Sequence, residues 1–207
     1  MRLRQKPWAE EELAQNPLYL PDVMAHKGRW ARLFDNTNPI HLEVGCGKGR
    51  FVIESALANP HINYVAIEKE ERIICMAARA AREAHAFDNL FFAVGMAEGL
   101  AEAFDKGEVS RLYIHFCDPW RSRGKWRKRR LTHANFLQIY EHILGNRGEL
   151  HFKTDNAELF RFTIGELSAR NWHIEDNTAV KSPIQTEYEQ KFLALGLQIY
   201  RLTAVMN

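Results

Sequence analysis

Ile40-His41-Leu42-Glu43-Val44-Gly45-Cys46-Gly47-Lys48-Gly49 decides the fold. Five residues with strand character run into three glycines spaced G-x-G-x-G, and residues 51–58 then read as a helix stopped by Asn59-Pro60. Glycine at a strand-to-helix turn permits positive φ and lets a ligand approach the backbone closely. Outward from this turn the same alternation repeats. Strand patterns at 64–68, 90–94, 112–116 and 149–153 are separated by helical spacing at Ile73, Ile74, Ala77, Ala80, Ala81 and Ala84 and by helical stretches at 132–144 and 158–167. Weaker strands follow at 172–176 and 198–203, with room for only a turn or two of helix between them around 186–193, so the final strand is expected to insert antiparallel. Strands apolar on both faces and alternating with helices imply an α/β fold, a mostly parallel sheet covered by helices on both sides. Residues 1–38, with Asn16-Pro17, Leu20-Pro21 and Asn38-Pro39, read as an N-terminal extension, and residues 39–207 as the main domain.

Composition narrows the class. The chain has 207 residues, 46% hydrophobic and 26% charged, which excludes disorder, collagen and coiled coil. No apolar run approaches the ~18 residues of a membrane span, and Met1 to Pro7 lacks the apolar core of a signal peptide. The expected location is the cytoplasm, with no membrane partner. Cys46, Cys75 and Cys117 are too scattered for a disulfide framework or a paired metal knuckle, and nine histidines without metal-ligand spacing give no support for a metal.

The net charge of +2 hides an asymmetry: Arg121 to Arg130 reads R-S-R-G-K-W-R-K-R-R, and without these seven cations acids outnumber bases. Such a run is usually a solvated face. Here it begins three residues after Asp118, itself at the end of a strand where doubly wound sheets bind ligands, and it interleaves Trp126 beyond Trp120. Cations neutralise phosphates and indoles stack on bases, so nucleic acid is the expected partner.

Two acids qualify the glycine turn. Glu68 ends the second strand, where a carboxylate can accept from both hydroxyls of a ribose. Glu43 lies two residues before Gly45. It would repel a pyrophosphate, whose fingerprint is G-x-G-x-x-G rather than G-x-G-x-G, but suits a ligand bearing an ammonium or sulfonium charge. A dehydrogenase is therefore disfavoured, and S-adenosyl-L-methionine is the expected cofactor. Asp118 before Pro119 also reads as an ordinary turn former. Asp155 to Glu158 and Thr186 to Glu189 both read as capping boxes.

Glu43-Val44-Gly45-Cys46-Gly47, Glu68, Asp118-Pro119-Trp120, Lys128-Arg129-Arg130-Leu131, Phe152-Lys153-Thr154-Asp155-Asn156 and Thr186-Glu187-Tyr188-Glu189-Gln190-Lys191-Phe192 occur in order. Together, from about residue 16 to 203, they resemble the bacterial tRNA (guanine-N7-)-methyltransferases. The resemblance implies a Rossmann-like class I methyltransferase sheet of seven strands, the last antiparallel. It implies methyl transfer to N7 of guanosine 46 in the tRNA variable loop, by a monomer or homodimer. Glu43, Gly45, Gly47, Glu68 and Asp118 correspond to cofactor positions, Asp118 also to the catalytic acid. Asp155, Thr186, Glu187, Tyr188 and Glu189 correspond to substrate positions. Lys125, Arg127, Lys128, Arg129 and Arg130 are the expected RNA contacts. Two departures stand out. Met96-Ala97 replaces a family Asp-Ala near the adenine, so a backbone amide of this pair is expected there, with Met96 adding apolar contact. A family lysine after D-P-W has Ser122 at its spacing, which makes Arg123 the candidate replacement. Two rivals remain: an exocyclic-amino nucleic-acid methyltransferase, whose N/D-P-P-aromatic motif Trp120 interrupts, and a non-catalytic RNA-binding protein on the same scaffold.

Overall fold

The computed structural model describes residues 7–86, 88–120 and 124–206. Eight strands form one sheet: β1 (Tyr19–Leu20), β2 (Ile40–Val44), β3 (Asn63–Glu68), β4 (Leu90–Val94), β5 (Val109–His115), β6 (Glu149–Thr154), β7 (His173–Asp176) and β8 (Tyr200–Val205). The helices are α1 (Pro7–Ala14), α2 (Trp30–Phe34), α3 (Arg50–Ala58), α4 (Glu71–Glu83), α5 (Leu100–Ala103), α6 (Ala134–Leu144), α7 (Ala157–Ser168) and α8 (Glu187–Ala194). Strand order across the sheet is β1-β4-β3-β2-β5-β6-β8-β7. From β1 to β6 all neighbours are parallel; β8 runs antiparallel between β6 and β7.

The expected parallel sheet with an antiparallel insertion is present, and it carries one strand more than the seven expected. That strand, β1, comes from the segment read as an extension. It is two residues long and flanked by a proline, too short to show a period of two. It forms because it completes the edge of β4, where Phe92 N donates to Leu18 O at 2.8 Å.

Alternate residues of the central strands feed two cores. On one face Leu42, Val44, Leu112, Ile114, Leu150 and Phe152 pack under α6 and α7 through Leu137, Tyr140 and Leu159. On the other, Tyr64, Ala66, Leu90 and Phe92 meet α3 and α4 through Val52, Ile53, Ala77 and Ala78. Trp30, buried in the first core, stacks on Phe104 (centroids 4.7 Å apart) and donates from its indole to Ala103 O at 3.0 Å. Among the described residues no helix is long and apolar enough to cross a membrane.

The strand order reverses at β2, whose neighbours β3 and β5 lead away in opposite directions. In open α/β sheets that point leaves a crevice beyond the C-terminal strand ends.

Candidate active site

The glycine turn caps that crevice. Gly45 N and Cys46 N both donate to Ile67 O, at 2.7 and 3.2 Å, pinning the turn to the end of β3. Gly45 (φ 78°) and Gly47 (φ 55°) are left-handed, and a Cβ at either would meet nothing within 4 Å, so open space lies over them. Gly49 serves differently. A Cβ there would come to 3.0 Å from Ala77 Cβ and 3.2 Å from Phe92 Cε1, so its absence lets α3 settle onto α4 and the sheet.

Glu68 stands where β3 ends. Its Oε1 accepts from Lys69 N (2.8 Å) and Glu70 N (3.3 Å), and Oε2 from Gly47 N at a long 3.4 Å. The carboxylate is thus aimed across the mouth of the turn. Glu43 is instead buried in the middle of the sheet. One oxygen lies 3.2 Å from His115 Nδ1 of β5, and the other, Oε2, has no hydrogen-bond partner among the described residues. Burial pushes the Glu43 carboxyl up to about 8; the Lys153 charge opposes this and Glu68 adds to it. Burial, with the charges of Lys153 and His151, holds His115 well below its usual value. A carboxylic acid beside a neutral imidazole therefore stands ready to ionise if a cation is brought to it.

Beyond β4, exposed Met96 and buried Ala97 open a 3₁₀ turn (Ala97–Gly99) along the same crevice. Beyond β5 the chain is strained. Phe116 (φ 51°) and Trp120 (φ 41°) are both left-handed without being glycine, on either side of exposed Asp118. The Phe116 ring packs against Tyr188 and Phe192 of α8, with centroids 6.2 and 5.7 Å away.

All of this surrounds one cavity of about 590 Å³, lined by Glu43, Gly45, Gly47, Glu68, Met96, Ala97 and Asp118 and also by Lys128, Arg129, Thr186, Glu187 and Tyr188. The structure brings together residues that the sequence scatters from Glu43 to Tyr188; Arg127 is exposed outside the cavity lining, and three further predicted residues also stand apart. Glu189 is fully buried, accepting from Lys153 Nζ at 3.0 Å and Arg201 Nη2 at 2.7 Å, so its carboxylate faces the protein and not a substrate. Arg130 is likewise withdrawn from the expected RNA surface. It is 1% exposed, donates to Pro119 O (2.8 Å) and Glu158 (2.7 Å), and lies over the Phe162 ring. Asp155 is exposed just past the end of β6 but does not line the cavity. Arg123 and the side chain of Lys125 lie outside the described residues.

The two capping boxes resolve differently. Thr186 caps α8, accepting from Glu189 N at 3.0 Å. At α7 the cap is Asn156, which accepts from Leu159 N, not Asp155. Sequence reasoning missed Lys48, Arg50, His115 and Phe116, which also line the cavity. Lys48 pairs with Glu187 at 3.2 Å and Arg50 donates to Gln190 at 2.7 Å, tying the glycine turn to α8. A signal was present. Polar residues at alternate positions of strands otherwise apolar (Glu43; Tyr113 and His115; His151 and Lys153) mark one sheet face as more than core.

A mostly parallel sheet reversing at β2, with a glycine turn and an acid-lined cavity beyond it, defines the class I methyltransferase fold. Solved structures agree. A 16S rRNA methyltransferase, KamB, superposes with TM-score 0.66 at 15% identity over 87% of this chain and 93% of that one. A 16S rRNA (adenine(1408)-N(1))-methyltransferase from Catenulisporales acidiphilia, solved with cosubstrate SAM, gives 0.60 at 18% identity over 86% and 90%. The family model described as "Putative methyltransferase" matches residues 37–202. Proteins called tRNA (guanine-N(7)-)-methyltransferase are 41% identical in Clostridioides difficile (strain 630), over 99% of this chain and 98% of that one, and 44% identical in Lysinibacillus sphaericus (strain C3-41), over 98% and 96%. The chain belongs to this bacterial family of tRNA (guanine-N7)-methyltransferases.

Proposed function

We propose that the protein transfers the methyl group of S-adenosyl-L-methionine to N7 of a guanosine in tRNA, at position 46 of the variable loop. The observation that carries this is the single cavity onto which Glu68, Asp118 and the cationic rim of Lys128 and Arg129 all open.

The residues present fit the cofactor. A volume of about 590 Å³ lies within the range of small-molecule sites. The open space over Gly45 and Gly47 admits the cofactor's backbone-like amino-acid portion. The Glu43 oxygen without a partner among the described residues suits its positive charge, Glu68 its ribose hydroxyls, and Met96 with Ala97 its adenine. When bound, the cofactor supplies an electrophilic methyl on a sulfonium. N7 of guanine carries an in-plane lone pair and no proton, so no general base is needed. The protein's task is placement, which can contribute about 7–11 kcal/mol, and stabilisation of the positive charge the purine acquires. Asp118 faces the incoming ring and serves that charge or holds the N1–H and N2 edge. Thr186, Glu187 and Tyr188 form the opposite wall. Arg127, Lys128 and Arg129 grip phosphates flanking the loop.

Incubating unmodified tRNA transcripts with labelled cofactor, followed by nuclease mapping and nucleoside identification, tests the reading. The expected product is 7-methylguanosine at position 46. A methyl on an exocyclic amine would transfer the site to the rival enzyme class. RNA binding with neither transfer nor calorimetric uptake of cofactor would make it a binding scaffold.

A further inference from the structure

We propose that the Trp120 indole is the surface on which the target purine lies, and that it stabilises the positive charge placed on that ring by methylation. This rests on the methyl-transfer reading above.

Three observations converge on this side chain. Trp120 lines the same cavity as Asp118, two residues away, so a ring facing the acid lies within reach of the indole. Its backbone is held at φ 41°, a conformation costly for a bulky residue and kept only where the surroundings enforce it. Those surroundings are visible: Pro119 O is fixed by Arg130 Nε at 2.8 Å, and the indole stacks on Trp126 with the planes 10° apart and centroids at 5.9 Å. Finally, the indole already holds a planar, delocalised cation. The Arg129 guanidinium carbon stands 5.0 Å from the Trp120 centroid and 4.5 Å from that of Trp126, the geometry of a cation–π contact.

The chemistry of the transfer creates a cation of the same kind. The N7 lone pair forms the new N–CH3 bond as the S–CH3 bond breaks and its electron pair stays on sulfur. No proton moves, and one positive charge passes from the sulfonium to the purine. The charge is spread over a flat ring, as in guanidinium. An indole face attracts that ring more strongly as the charge grows, so the interaction strengthens toward the transition state and accelerates the step rather than merely binding substrate. Asp118 meets the charge through space and the indole meets it face-on. Arg129 is displaced from the indole by the incoming purine and is free to turn to a phosphate.

The test keeps the shape of residue 120 and changes its electronics. Tryptophan carrying one, two or four fluorines is inserted at position 120 alone, which progressively weakens the negative potential of the ring face. Single-turnover methylation of tRNA should fall steadily along the series, by about three- to tenfold in total, while calorimetric affinity for the cofactor stays constant. A second readout needs no turnover. In mildly acidic buffer, where 7-methylguanosine is a cation, fluorescence titration should show it binding more tightly than guanosine, and the preference should shrink with each fluorine. A flat series in both measurements, with 7-methylguanosine still formed at the wild-type rate, overturns the role of Trp120 and leaves the reaction standing. Absence of 7-methylguanosine from tRNA treated with the unaltered protein overturns both.

Discussion

Glu43 is where one proton matters most. Its carboxyl sits at about 8 in the folded chain against an ordinary 4.5, because burial disfavours the ion more than Lys153 favours it. The fold thus prefers the protonated form. The stability this group contributes is intact below 4.5 and is lost as pH climbs through about 8. A bound sulfonium or ammonium reverses the preference, so cofactor binding near pH 7 should expel a proton and tighten as pH rises toward 8. Calorimetry in buffers of different ionisation enthalpy measures that proton directly. Glu43→Gln should abolish the release, weaken cofactor binding by about ten- to a hundredfold, and raise the melting temperature of the ligand-free protein at pH 8. Proton release unchanged in the variant would remove Glu43 from the cofactor's counter-charge. Asp118 carries the opposite kind of prediction, because it is exposed and lines the cavity rather than the core. Asp118→Asn should lower kcat by about a hundredfold with little change in melting temperature, and the loss should hold constant across neutral and alkaline pH, since the proposed transfer abstracts no proton. A bell-shaped profile that flattens in the variant would instead make Asp118 a base.

The basic turn (residues 124–129) and α8 show how one run of sequence divides between surface and core. Arg127, Lys128 and Arg129 are exposed, whereas Arg130, next in line, is sealed against Pro119, Glu158 and Phe162. Replacing Arg127 and Lys128 with Ala should leave stability unchanged and shallow the salt dependence of tRNA binding by about 0.7–0.9 per lost phosphate contact. Arg130→Ala should act oppositely, costing roughly 1–3 kcal/mol as Pro119 O loses its donor and a buried side chain is removed, while leaving the salt slope alone. Denaturant melts and salt titrations on the same preparations separate the two, and a shared phenotype would contradict the division. The sequence showed seven cations in ten positions but not that Arg130 turns inward, because its partner Glu158 is 28 residues away. Helix α8 makes the same point. Its start was legible, since Thr186 must satisfy a free N–H of the first turn, and it does. The destination of Glu189 was not. The carboxylate that would close a capping box reaches instead to Lys153 on β6 and Arg201 on β8, pairings set by strand order and not by spacing. Its link to the cavity is accordingly indirect, through the placement of Thr186 to Tyr188, which line it.

At the scale of the molecule, the glycine turn, the strand ends and the antiparallel insertion were readable because each leaves a local mark: a G-x-G-x-G, an acid closing an apolar run, a stretch too short for a crossover helix. The N-terminal segment left none, and its integration is a property of the assembled sheet. Leu13 and Leu18 enter one core, Leu20, Trp30 and Phe34 the other, and β1 covers what would otherwise be the bare edge of β4. If residues 1–38 were an appendage, a chain starting at residue 39 would fold and bind cofactor, since every cavity-lining residue lies beyond that point. The packing argues that it would not. Trp30 alone fills a site against Phe104 and satisfies Ala103 O, and Trp30→Ala should cost about 3–5 kcal/mol, a large share of the ~5–15 kcal/mol that holds a domain of this kind together. The expected outcome is a Trp30→Ala protein with a sharply lowered melting temperature and a single unfolding transition, and a chain from residue 39 that aggregates through the exposed β4 edge. Two separated transitions in the full chain, or a truncated chain that melts cooperatively and still takes up S-adenosyl-L-methionine in the calorimeter, would show the segment to be dispensable and the sheet complete without it.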